Sequence, residues 1–170
     1  MNRPPFPMAI QDNILEDATF GTLNQDVNGF FWDGSYLSRN FGRIKLRVES
    51  GRRITDAQRN EFKLFKLNED QIFKDAQEYL YETYKRFLDA IENDPFQGPE
   101  DFPQLTKSEQ IWGQLSRPFD GGTSLLVLYS RERKVFLRLA WNCEWDVEHG
   151  TSVCIEDRKV VDRKRWLELE

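Results

Sequence analysis

The chain has one histidine, two cysteines and two methionines in 170 residues. It has no apolar run near the ~18 residues that a membrane span needs. A single histidine leaves imidazole-based acid–base or metal chemistry without a second site. Two cysteines are too few for a disulfide framework or a four-thiolate zinc site. Positive charge is also in deficit: 24 Lys and Arg stand against 29 Asp and Glu, a net charge of −5. A general nucleic-acid binder carries the opposite balance. Residues 1–7 hold Pro4, Pro5 and Pro7 but lack the hydrophobic stretch of a signal peptide, so a cytoplasmic protein with no membrane association is expected. There is no glycine-rich phosphate loop, nucleophile elbow or Cys-x-x-Cys pair. Gly121-Gly122-Thr123 reads as a turn entering a strand.

Aromatic residues, by contrast, are abundant: thirteen Phe, five Trp and five Tyr make up 14% of the chain. With this length they supply one sizeable core and exclude disorder over most of the sequence. Residues 1–18 are expected to form a loosely ordered arm and residues 19–170 a single α+β domain.

Strand-type patterning marks 19–23, 29–37 and 43–49, the last with Ile44, Leu46 and Val48 alternating against Arg43, Lys45, Arg47 and Glu49. Thr55-Asp56-Ala57-Gln58 has the form of a capping box and opens a helix to about residue 66. Asn68-Glu69-Asp70-Gln71 repeats it before a longer helix, in which Ile72, Ala76, Tyr79, Leu80, Thr83, Phe87 and Ile91 recur at helical spacing. That helix must end before Pro95. Residues 93–106 read as a loop pinned by Phe96 and Phe102, and 106–115 as a short helix with Ile111, Trp112 and Leu115 on one face. Four further strands follow, at 124–130, 134–145, 151–156 and 159–163. The order is βββ-αα-(α)-ββββ, which implies a mostly antiparallel sheet with helices packed on one face. Alternation puts Cys143 and Cys154 on opposite faces of the sheet, so two reduced thiols are expected.

Few residue groups suggest chemistry. Asp146, Glu148 and His149 combine two carboxylates with the lone imidazole, but consecutive turn residues seldom converge on one ion, and Gly150 fits a hairpin turn. No catalytic residue, metal or cofactor is assigned, and an enzyme is not expected. Charge is more informative. Residues 43–66 carry eight bases against three acids, whereas 68–94 carry eight acids against Lys74, Lys85 and Arg86. Asp75, Glu78, Glu82 and Asp89 lie on the polar side of the long helix, and a face of one sign steers a partner of the other. These four are the candidate partner-binding residues. The basic stretch has no accompanying stacking aromatics, so nucleic acid is not expected as a partner.

Two segments resemble a family of small bacterial domains of unknown function. Phe20-Gly21-Thr22-Leu23 and Phe31-Trp32-Asp33-Gly34 are similar to its F-G-x-L … W-x-G opening. Residues 143–153, from Cys143-Glu144-Trp145-Asp146 through His149-Gly150 to Val153, are similar to its C-x-W-D-x-E-H-G-x-x-V hairpin. The likeness extends over about residues 18–163, with Asp162-Arg163-Lys164 departing from the family's valine–glycine ending. Some members of such families are linked to toxin loci. The resemblance therefore implies an immunity protein, monomeric or homodimeric, that binds a cognate protein toxin with a basic surface. It also implies that Trp145, His149 and Gly150 are framework residues of the hairpin. The alternatives are a self-associating accessory or structural protein and, further off, a metal-dependent enzyme using the 146–149 turn.

Overall fold

The computed structural model describes residues 14–50, 53–92, 94–116, 124–131 and 134–162. Four strands open it: β1 (Ile14–Asp17), β2 (Gly21–Gln25), β3 (Phe31–Ser38) and β4 (Gly42–Glu49). Helices α1 (Asp56–Leu67) and α2 (Glu69–Ala90) follow. After a 3-10 turn at Pro99–Asp101 and a 3-10 helix at Ser108–Gln114 come β5 (Leu115–Ser116), β6 (Ser124–Arg131), β7 (Lys134–Cys143), β8 (Asp146–Glu156) and β9 (Lys159–Val161). The expected α+β class holds. The strands run β1-β2-β3-β4-β6-β7-β8-β9 across one sheet, with β5 pairing β7. All pairs are antiparallel except β4 with β6, which the helical crossover makes parallel.

Alternation sorts the side chains. A row from Leu46 through Leu126 and Leu139 to Val153 crosses four strands in register on the inner face, and each of these residues is fully buried. Phe62 and Phe65 of α1 and Ile72, Ala76, Leu80 and Tyr84 of α2 pack onto that face. Each fully buried large side chain contributes roughly 1.5–3 kcal/mol. Phe41, from the β3–β4 turn, links the layers, with ring contacts to Phe65, Phe73, Trp112 and Trp141. Trp32 Nε1 and Ser124 Oγ are buried without a hydrogen-bond partner among the described residues.

Both ends of the sheet reach α1. At the β1–β2 turn, Phe20 stacks on Phe62 at 4.8 Å and Asp17 Oδ2 accepts from Arg59 Nε at 2.8 Å. At the β8–β9 turn, Asp157 and Arg158 lie in the electrostatic field of Glu61. The sheet therefore curves around the first helix, as a right-twisted sheet does over a helical layer.

The structure corrects several expectations from the sequence. β1 lies inside the stretch expected to be an arm, while 1–13 are outside the described residues. Asn68 makes no side-chain cap to α2; its Nδ2 donates to the Leu64 carbonyl at 2.7 Å and closes α1 instead. Phe96 does not pin the loop, being 95% exposed, whereas Phe102 packs edge-on against Phe87 at 4.9 Å. Tyr84 was missing from the helical pattern, yet it is 1% exposed. The segment at residues 108–114 is 3-10 rather than α-helical. Gly121-Gly122-Thr123 is outside the described residues.

Two motif glycines have steric reasons. A Cβ on Gly34 would sit 2.5 Å from Leu23 Cδ2, so glycine lets the buried Leu23 cross β3. Gly150 has φ +65° and no room beside the Trp141 carbonyl, which would lie 2.4 Å from a Cβ.

Candidate functional site

The spacing of Asp75, Glu78, Glu82 and Asp89 places all four on one stripe of α2. Their surroundings differ. Asp75 Oδ1 accepts from Gln71 Nε2 at 2.8 Å. Glu78 Oε1 accepts from Ser108 Oγ at 2.7 Å, which ties the helix to the 3-10 segment beside it. Glu82 pairs with Lys85 at 2.5 Å, and the Lys85 ammonium lies 4.7 Å from the Tyr81 ring centre. Asp89 has no side-chain hydrogen bond or ion pair among the described residues. The stripe is thus partly neutralised from within: Arg86 also lies on it, between Glu82 and Asp89.

Glu82 and Asp89 line a groove of about 490 Å³ together with Lys85, Arg86, Leu88, Glu92, Pro99, Gln104 and Leu105. One wall is the C-terminal half of α2 and the other is the loop that follows it. That loop is held firmly. Tyr81 Oη donates to the Leu105 carbonyl at 3.3 Å, Tyr84 Oη donates to the Pro103 carbonyl at 2.9 Å, and Phe102 packs on Phe87. Asp75 and Glu78 are not part of the groove lining. Residue spacing thus identified two of the acidic residues in the lining and missed Glu92, Leu88 and Leu105. A usable signal was present: the end of α2 reads Asp89-Ala90-Ile91-Glu92 with no basic residue in the last turn, where helices favour cations.

The 146–149 turn behaves as a hairpin element. Asp146 Oδ1 accepts the His149 backbone N–H at 3.0 Å, and His149 Nδ1 lies 3.0 Å from the same oxygen. The register slips between Trp141 and Cys143, so β8 bulges outward around Val147, which is exposed. Trp145 packs edge-on against Tyr84 at 5.0 Å, fixing the hairpin to α2. Among the described residues no three His, Cys, Asp or Glu side chains are placed to hold a metal. Cys143 and Cys154 are buried, and no disulfide joins them. Burial pushes the Cys143 thiol up to about 11, which disfavours the reactive thiolate.

Elsewhere, charged groups do structural work. Glu69 is fully buried at the start of α2 and accepts from Tyr36 Oη at 2.8 Å, Ser38 Oγ and the Asn40 N–H at 3.0 Å, locking the β3–β4 turn onto the helix. Burial, and then this bond to Glu69, pushes the Tyr36 phenol up to about 12. On the outer sheet face Arg47 forms a two-pronged pair with Asp33, at 2.8 and 2.9 Å, beneath the Phe31 ring. Arg59 is committed to Asp17 and Asp56, so Arg47 and Arg59 of the basic stretch are held by acids of the fold. A second cleft, of about 340 Å³, lies between α1 and the β7–β8 pair and includes Glu61, Glu156 and Asp157. Burial, and then the nearby Asp157, raises the Glu61 pKa.

No helix among the described residues is long and apolar enough to cross a membrane. No curated protein and no solved structure matches the chain. A family model does match, over residues 19–165, which takes in strands β2 to β9, both helices and the bulged hairpin but not β1. The chain therefore belongs to the family described as a domain of unknown function, DUF6985.

Proposed function

We propose that this chain is a protein-binding module whose outer α2 face receives a cationic protein. In the form implied by the resemblance above, it is a cytoplasmic immunity protein that binds a bacterial toxin and covers its active surface. The observation that carries this reading is the run of carboxylates along one open side of α2, ending in a preformed groove. Electrostatic attraction of that kind speeds encounter and fixes orientation, while apolar contacts at the centre supply most of the affinity.

The test uses the tagged full chain and its Glu78→Lys/Glu82→Lys variant, with circular dichroism to confirm that the variant folds. Each is used to capture proteins from the source lysate at low and high salt. The expected result is one stoichiometric partner carrying a toxic activity that the chain suppresses, released by salt and lost from the variant. Equal retention by the variant, at either salt concentration, overturns the surface assignment. A captured protein whose activity the chain leaves intact overturns the immunity role.

A second reading has its own observation. Val27 is 99% exposed and Phe30 64% exposed on the β2–β3 turn, close to the edge strand β1, where Ile14 is also exposed. An apolar corner beside a sheet edge suits self-association. A mass that rises with concentration, and returns to that of a monomer in Val27→Ser/Phe30→Ser, would favour the accessory-protein alternative.

A further inference from the structure

We infer that the groove between the C-terminal half of α2 and the 99–105 loop is the docking site for a partner segment that presents an arginine or lysine beside an aliphatic residue. This deepens the binding reading above and rests on it.

The charge of the groove is not balanced from within. Glu82 is neutralised by Lys85. Asp89 and Glu92 form no ion pair among the described residues, although Asp89 lies in the field of Lys85. Both sit at the C-terminal end of a 22-residue helix whose last turn holds no basic residue. The unsatisfied carbonyls there already form the negative pole of the helix, so the two carboxylates are placed where negative charge is least favourable. A guanidinium or ammonium from a partner relieves both repulsions at once. Arg86, on the α2 wall between Glu82 and Asp89, repels a second cation there and so favours a segment whose one cation lies toward Glu92.

The remaining lining fixes the apolar half of the ligand. Leu88 and Leu105 are partly buried and lie in the same groove, with Pro99 beside them. An aliphatic side chain next to the cation covers them, in the manner of an anchor ringed by polar contacts. The walls are already fixed by Tyr81, Tyr84 and Phe87, so little ordering is needed on binding.

The probe is a blocked hexapeptide of alternating leucine and arginine, titrated into the full chain and followed by backbone amide shifts. The leucine–glutamate counterpart is the control. Saturable shifts confined to residues 82–92 and 99–105, absent with the control, are expected. Asp89→Asn and Glu92→Gln should each weaken binding about threefold and together about tenfold, as for exposed ion pairs. Leu105→Ser should weaken it without changing the salt dependence. Shifts centred on 70–78 would overturn the groove while leaving the α2 reading intact. No saturable shift anywhere on α2 would overturn both. Residues 163–165 of this chain, Arg163-Lys164-Arg165, are also basic. Binding seen only after residues 163–170 are deleted would assign the groove to those residues of the chain itself and overturn a foreign partner.

Discussion

The two helices are adjacent in sequence and follow opposite rules at their ends. α1 is locally complementary. Thr55 and Gln58 form a reciprocal capping box, Asp56 stands in its first turn and Lys66 in its last. α2 keeps the charge rule at its start, with Glu69 and Asp70 in its first turn, but Asn68 gives it no side-chain cap and Glu69 is turned into the core, and at its other end acids rather than bases close it. At its start the deficit is made good by tertiary contacts. At its end no ion pair among the described residues does so, and Asp89 has just the field of Lys85. Local rules broken and compensated mark architecture; local rules broken and left open mark a place where a second molecule fits.

The most disruptive way to break this comparison is at Glu69. Glu69→Ala leaves Tyr36 Oη, Ser38 Oγ and the Asn40 N–H without their common acceptor in a fully buried position. A loss of about 3 kcal/mol is expected in urea unfolding, the cost of stripping a buried polar network of one member. Glu69→Gln, which keeps one acceptor, should cost less. It should also lower the pH at which Tyr36 ionises, read from tyrosinate absorbance. Because the Tyr36 pKa is raised from 10.0 to about 12, its contribution is present below pH 10 and is lost as the pH rises through that window.

The next effect is at Asp17, which fastens the edge of the sheet to α1. Burial would raise its pKa, but the Thr19 N–H, the Arg59 guanidinium and the Phe20 N–H outweigh it and hold the carboxyl below its usual value. Asp17→Asn should cost about 2 kcal/mol at neutral pH, the range for a charge-assisted bond in a sheltered site. A depressed carboxyl pKa stabilises the fold above the unfolded value near ~3.9 and loses that contribution as the pH falls through the folded value. The difference between wild type and Asp17→Asn should therefore shrink in acid. A constant difference down to the lowest pH at which the chain folds would show that the ion pair contributes little.

The same contrast explains what the sequence could and could not disclose. Ile44, Leu46 and Val48, or Thr55 with Gln58, are legible because the interaction that places them lies within one strand or one turn. The parallel pairing of β4 with β6 is not, since it depends on how a long crossover returns to the sheet. Tyr84 was missed because its phenol bonds to the Pro103 carbonyl and its ring meets Trp145, both remote in sequence. The same holds for the site. Helical spacing puts Glu82 and Asp89 on one stripe, but the opposite wall of the groove comes from Pro99 and Leu105. Only the packed loop reveals that Asp75 and Glu78 fall outside it.

A smaller pair of substitutions sharpens the helix comparison directly. Thr55→Ala removes the acceptor of the Gln58 N–H, a 3.2 Å bond, and half of a reciprocal box. It should cost about 1 kcal/mol. Asn68→Ala, at the same formal position of α2, should cost less than half as much, because that side chain bonds back to Leu64 rather than forward. Equal losses in thermal unfolding would mean that the two helix starts are not different in kind.

The smallest effect carries the most information about function. Asp89→Lys replaces a carboxylate at the negative pole of α2 by a cation, and Asp89 has no hydrogen bond or ion pair to lose among the described residues, just the field of Lys85. A favourable helix-end charge is worth about 0.5 kcal/mol at low ionic strength. The variant should therefore be slightly more stable than wild type, with the gain fading in high salt, while its affinity for the leucine–arginine peptide falls. Stability and binding moving in opposite directions at one residue is the signature of a position held away from its folding optimum by the partner it serves. If Asp89→Lys loses stability instead, some part of the chain already satisfies that end of the helix. The contrast between α1 and α2 would then be one of packing alone, with no vacancy left for a partner to fill.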